Sequence, residues 1–319
     1  MATKQQSSTP SLFNFLKEGL LLPTHNPRLF SVVFAIIVAS TALLVLGHDL
    51  SVQPLAAEIR LDINALINST DLSSQDYLHL LQQIQDDSRE LQLTGAAYLL
   101  LSVVTFSAIR ILVLFAAVAT YSGEVLHTFG SLMGKVRAQL KGPLLTLAFV
   151  YALETACVVL VAAMVGLLVV LVIMRYLALF FVGSLLLVAA FVFLVCFSVL
   201  SSVSVVVAVA EPGCHGAGAV ARAWRLIKGR RMRRRAALLI CATVVLAAAV
   251  SPVHTLAARC ALRSMASGLL LDFVYTVLMA AVNLFAICAM AAFYFECKER
   301  TEALVTEYVK VPTKEQINA

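Results

Sequence analysis

The stretch Glu211-Pro-Gly-Cys-His-Gly-Ala-Gly-Ala-Val-Ala-Arg-Ala-Trp-Arg-Leu-Ile-Lys-Gly-Arg-Arg-Met-Arg-Arg-Arg235 separates two long apolar runs. It carries eight of the chain's 24 basic residues and its only tryptophan. How it is read decides how the chain is threaded. Upstream, residues 143–210 are apolar, broken only by Glu154, Arg175 and a few small polar side chains. A membrane crossing needs about 20 predominantly apolar residues, so this tract holds two generous crossings or three tight ones. Three would put the eight positive charges on the side opposite the basic residues of 122–142. Two, turning near Met174-Arg175-Tyr176, keep both basic segments on one side, as the positive-inside bias requires. Two crossings are therefore assigned.

Working outward, residues 29–47, 95–121, 236–258 and 268–295 are also long and apolar enough to span. With 143–174 and 176–210 they predict an all-α polytopic membrane protein of six transmembrane helices, with interfacial amphipathic helices. Composition points the same way. Of 319 residues, 61% are hydrophobic and 13% charged, and the mean hydropathy is +0.92; an ordinary soluble domain carries about 25% charged residues. The tails 1–28 and 296–319 together with 122–142 and 211–235 hold 18 basic residues. That asymmetry predicts cytosolic N- and C-termini and a basic cytosolic loop at 211–235. A net charge of +6 at the ends of apolar runs is aimed at the lipid bilayer and its anionic lipids, and nucleic acid is set aside. Residues 1–10 are polar and lack a cleavable signal; the first crossing is expected to serve as the insertion signal.

The opposite face carries one sizeable loop, 48–94, with eight acidic and two basic residues. This lumenal loop contains Asn68-Ser-Thr70, a candidate N-glycosylation site. Further on, Ser73-Ser-Gln-Asp76 reads as a capping box opening a polar helix over 77–93 that runs into the second span.

Candidate sites divide into three groups. Arg110 and Glu154 are ionisable residues inside spans, each 11 residues from the cytosolic end of its run. Intramembrane charges face the bundle interior and find partners, so an interhelical ion pair is predicted. Its role is either to fix helix register or to line a transport or proton pathway. In the opening stretch, Ala217, Val220, Ala221, Trp224 and Ile227 recur with helical spacing, flanked by Arg222, Arg225 and Lys228. This predicts an amphipathic helix lying in the headgroup layer, followed by Arg230, Arg231, Arg233, Arg234 and Arg235. The segment serves as an orienting loop, an anionic-lipid contact, or a partner or retrieval signal. Residues 11–22 read as a second interfacial helix. Cys214 and Cys297 lie at cytosolic boundaries and are candidate palmitoylation sites, inert thiols being the alternative. Asp272, Asn283 and His254 are further polar intrusions with no catalytic assignment. None of the seven cysteines forms a zinc-type or Cys-x-x-Cys pattern, and no catalytic or nucleotide motif is present, so no cofactor is expected.

Three stretches carry a family resemblance. Phe15-Leu-Lys-Glu-Gly-Leu precedes Asn26-Pro-Arg-Leu-Phe30; Ser202-Val-Ser-Val-Val-Val-Ala-Val-Ala-Glu211 runs on to Ala221-Arg-Ala-Trp-Arg-Leu-Ile-Lys-Gly229; and Phe293-Tyr-Phe-Glu-Cys-Lys298 closes the set. Their order resembles a plant family of uncharacterised six-span membrane proteins. The middle element is also similar to the membrane domain found beside some bacterial glycerophosphodiester phosphodiesterases, over about 20 residues and without the catalytic domain. The resemblance implies architecture and carries no activity. The expectation is thus a non-enzymatic scaffold or regulatory protein of an endomembrane or the plasma membrane. Its basic loop engages anionic lipid headgroups and a protein partner or a second copy. The alternatives are a transporter or channel built on Arg110 and Glu154, and third an intramembrane enzyme.

Overall fold

The computed structural model describes residues 14–68, 75–124, 128–261 and 264–309. Among the described residues the chain is helical, without strands: α1 (Asn14–His25), α2 (Pro27–Asn68), α3 (Gln75–Tyr121), α4 (Phe129–Gln139), α5 (Lys141–Ile173), α6 (Leu177–Ala210), α7 (Ala217–Ile227), α8 (Arg230–Ala261) and α9 (Met265–Val309). Six of them, α2, α3, α5, α6, α8 and α9, are long and apolar enough to cross a membrane. The chain is a multi-pass membrane protein. In hydrocarbon every backbone N–H and C=O must find its partner within the segment, which is why the apolar runs are helices. Side chains such as Val159 and Leu160 on α5 and Leu185 and Val188 on α6 point outward with most of their surface exposed, a surface suited to lipid and not to water.

The helices outrun the apolar windows. The first crossing continues past Gly47 to Asn68, so much of the segment 48–94 is helix and not loop. Leu and Ala are frequent in residues 48–68 and favour helix at any polarity. The second begins at Gln75, inside the expected capping box, whose Ser73 and Ser74 lie outside the described residues. In the same way α8 begins at Arg230, so the arginine cluster is its first turns.

The turn between α5 and α6 falls at Met174-Arg175-Tyr176. Arg175 N–H donates to the Val172 carbonyl at 3.0 Å and Tyr176 N–H to the Leu171 carbonyl at 3.1 Å, the paired bonds of a Schellman stop. Arg175 holds the left-handed position with φ of 59°, where a glycine is usual.

Two compact units make up the chain. The first comprises Met1–Ser31, Ile111–Ala248 and Val282–Ala319, and the second Val32–Arg110 and Ala249–Ala281. In the second, Val33 and Ile37 of α2 and Ala280 of α9 are buried. Tyr98 donates to the Leu44 carbonyl at 2.8 Å, and His254 stands 3.5 Å from Asp272, a pairing the sequence does not announce. In the first unit the five consecutive residues Val113, Leu114, Phe115, Ala116 and Ala117 are all buried, which requires neighbours on every side of that helix end.

In the first unit α1, which covers residues 14–22 of the helix expected over 11–22, also packs on protein. Phe15, Gly19 and Leu22 of α1 are buried, spaced as one stripe of a helix. The Phe15 and Phe293 rings meet edge to face at 5.8 Å. Gly19 lies so close to α9 that an added Cβ would stand 2.5 Å from the Ala289 Cα. Below them Tyr121 stacks on Phe295 at 4.1 Å and donates to Glu18 at 3.4 Å. One apolar stripe of α1 thus packs on protein, while Leu20 and Leu21 stay exposed. Gly19→Val forces α1 and α9 apart, and overpacking of this kind costs about 1–3 kcal/mol. A lowered unfolding temperature of the purified protein in detergent is the expected result; an unchanged one refutes this packing.

Candidate functional site

Glu211 and Pro212 end α6, since proline cannot continue a helix and disfavours helical backbone at the residue before it. The connection to α7 then turns on Gly213 (φ 111°) and Gly216 (φ 56°), angles that a side chain makes costly. Gly216 N–H donates to Thr146 Oγ1 of α5 at 2.9 Å, and Thr146 donates in turn to the Gly142 carbonyl at 3.0 Å. The His215 ring lies against Gly142, where a Cβ would meet its Cε1 at 2.2 Å. These contacts bolt the loop to the first turns of α5.

Held in this way, α7 turns a different face inward from the one its apolar residues suggest. Ala219, Ala223, Leu226 and Ile227 are buried, and α7 packs on α6 and α5. Ala217, Ala221 and Trp224 face out, with Trp224 57% exposed. Of the stripe expected from sequence, only Ile227 is fully buried. The reason is size. Alanines at 219 and 223 allow close approach of two helices, a property that hydrophobicity ranks low and geometry ranks high.

The basic residues separate into two sets. Arg222 lies half-buried with Nε 3.3 Å from Glu211 Oε2, and Glu211 also accepts a hydrogen bond from Tyr294 at 2.9 Å. Arg235 is fully buried and donates to Glu296, which accepts from Arg300 as well, at 3.1 Å. A buried guanidinium is tolerated only beside a carboxylate that meets it. The expectation that Arg235 contacts lipid headgroups is therefore corrected, since it is turned inward onto Glu296; Arg222 pairs with Glu211 with 34% of its side chain exposed. Cys297 is corrected likewise, being buried with its Sγ 3.6 Å from Met232 Sδ, closed to an acylating enzyme. Cys214 is half-buried in the loop.

The second set stays outside. Trp224, Arg225, Lys228, Arg233 and Arg234 are exposed, and Arg233 donates to the Lys228 carbonyl at 3.3 Å across the elbow between α7 and α8. Arg230 and Arg231 open α8, but their side chains lie outside the described residues, as do the Asn68 side chain, Ser69 and Thr70 of the candidate glycosylation site.

Glu154, half-buried on α5, accepts a hydrogen bond from Ser201 of α6. The paired serines Ser201-Ser202 in an otherwise apolar run are the sequence signal for that partner. Arg110 is a half-buried residue of α3 in the second unit, while Glu154 belongs to the first. Among the described residues no three His, Cys, Asp or Glu side chains converge as a metal site would need.

The model of a domain of unknown function, DUF8558, matches residues 3–305. The chain belongs to this family. No curated protein and no solved structure matches it. The DUF8558 match takes in all six spanning helices and the whole α6–α8 connection, so the candidate site lies inside the family domain.

The inward pair gives a direct test. Arg235→Met removes the buried partner of Glu296, which keeps only Arg300; breaking a buried pair costs about 3–5 kcal/mol, and the remaining partner holds the loss toward the lower end. Arg235→Met with Glu296→Leu removes both charges and recovers most of that loss. Denaturation of the three proteins in detergent measures the difference; equal stabilities for the single and double variants would contradict the pairing.

Proposed function

We propose that this protein is a non-enzymatic membrane scaffold or regulator. In this reading its termini and basic loop lie in the cytosol, and its α7–α8 elbow rests on an anionic leaflet. The observation that supports it is the division of the basic residues. Glu211 and Glu296 pair with the half-buried Arg222 and the buried Arg235, while Trp224, Arg225, Lys228, Arg233 and Arg234 are left on one exposed elbow. An exposed indole beside cations suits the headgroup layer, where an amphipathic ring has one wet and one apolar side. Each cation near an anionic leaflet contributes about 1 kcal/mol, so the four contribute about 4 kcal/mol at low salt and less as salt screens them. A partner protein or a second copy would meet the same arginines. Likeness to the plant six-span family supports placing the chain in an endomembrane or the plasma membrane of a plant cell.

The lone tryptophan makes the reading measurable. With the full-length protein in lipid nanodiscs, Trp224 emission should be quenched by lipids brominated near the headgroup end of their chains, more in anionic than in zwitterionic discs. Changing Arg225, Lys228, Arg233 and Arg234 to glutamine should abolish the anionic preference, and added salt should weaken it in the wild type. Quenching that ignores both lipid charge and the four substitutions would defeat the proposal.

A further inference from the structure

Beside the α6–α7 loop lies a cavity of about 180 Å³. Three polar side chains line it among apolar ones. Gln139 and Lys141 flank the junction of α4 and α5, and His215 leans over from the loop, all three exposed. Ala208 and Val209, at the end of α6, form a buried apolar floor beside Pro212. Among the described residues no carboxylate lines it. Its position is set by the spans, since α5 enters its apolar run at Lys141 and α6 leaves its own at Ala210. In the membrane reading this places the cavity where two apolar runs meet polar sequence. It is also built rather than incidental: Thr146 fixes Gly216, and the bare Gly142 is what admits the His215 ring.

We propose that this cavity holds the phosphate of a single anionic phospholipid with a small headgroup, more tightly than the surrounding leaflet lipids. Lys141 supplies a full positive charge, and Gln139 and the His215 ring supply N–H donors, a set that suits phosphate oxygens. The apolar floor meets the glycerol and upper chain of a lipid, which a free phosphate lacks, and this commits the site to a lipid. A volume of this size selects against large sugar headgroups, so phosphatidic acid is the natural probe. The inference rests on the cytosolic-leaflet reading of this end of the molecule, but it uses different residues.

The test uses the full-length protein in phosphatidylcholine nanodiscs doped with phosphatidic acid. Lipid retained per protein is counted by native mass spectrometry, and Trp224 quenching is followed in parallel. Lys141→Gln with His215→Gln should lower retention about tenfold and leave Trp224 quenching as in the wild type. Lys141→Gln alone alters only an exposed side chain and should lower it severalfold, whereas Lys141→Arg should restore it. Unchanged retention in the double variant overturns the pocket and leaves the elbow reading standing. Retention lost only when Arg225, Lys228, Arg233 and Arg234 become glutamine also overturns it, since the lipid then sits on the elbow. If soluble glycerol phosphate strips the retained lipid at equal concentration, the lipid source is wrong. Loss of the anionic preference of Trp224 in the wild type defeats the elbow reading and not the pocket.

Discussion

The carboxylate of Glu211 holds the α6–α7 end of this protein together. It is the residue at which α6 stops, it accepts from Tyr294 of α9, and it faces Arg222 of α7. One side chain thus fixes the position of a short helix against two spanning ones. Without it α7 would depend on four small or medium apolar residues, Ala219, Ala223, Leu226 and Ile227, and two of those bury little area. An 11-residue helix is marginal by itself in water and takes its stability from tertiary contacts. Glu296 repeats the arrangement one turn of logic further on, linking Arg235 of α8 and Arg300 of α9. Two acids set the orientation of two basic elements, and the charges they leave unneutralised are the ones available to a partner.

Much of this architecture is legible in the sequence, because a bilayer permits few ways to satisfy a backbone. Long apolar runs separated by clustered charges read directly as six crossings, and the hairpin at Met174-Arg175-Tyr176 follows from keeping both flanking basic segments together. The polar extensions of α2 and α3 are not legible in the same way. A hydropathy window ends where polar residues begin, at His48 and at Thr94, but helix propensity does not. The loop glycines are half legible: their failure to follow a strand rules out a nucleotide cradle, but only the structure shows Gly216 reaching Thr146.

The partition of the arginines shows most clearly what a one-dimensional reading loses. In Arg-Arg-Met-Arg-Arg-Arg every arginine looks alike. The apolar stripe of α8, followed backward, nevertheless runs through Leu239, Ala236, Arg235 and Met232, all buried. Helical spacing of three and four could therefore have singled out Arg235 as inward-facing and in need of an acid. Glu296 in Phe-Glu-Cys is the acid at hand in the C-terminal stretch. The signal is present, but it requires treating an arginine as a member of an apolar stripe, which binary patterning does not do. Trp224, expected in the headgroup layer, is exposed, and the protein packing of α7 is made by alanines because they let it approach α6 and α5.

The start of α8 carries a conflict that bears on function. Helix N-termini favour negative charge, and each misplaced cation costs a few tenths to about 1 kcal/mol. Here the first turn has no acid and begins in arginines. Arg235 escapes the conflict through Glu296. Arg233 has its guanidinium on the Lys228 carbonyl, and Arg234 remains exposed. In a protein tuned only for its own stability such a turn would carry Asp or Glu. An anionic surface laid against the elbow relieves the same conflict from outside, since it meets the cations and the uncapped amides together. In the proposed setting the helix start is therefore stabilised by the membrane it rests on, and its stability should track leaflet charge. This is a coupling between lipid composition and the α7–α8 geometry that a neutral elbow could not have.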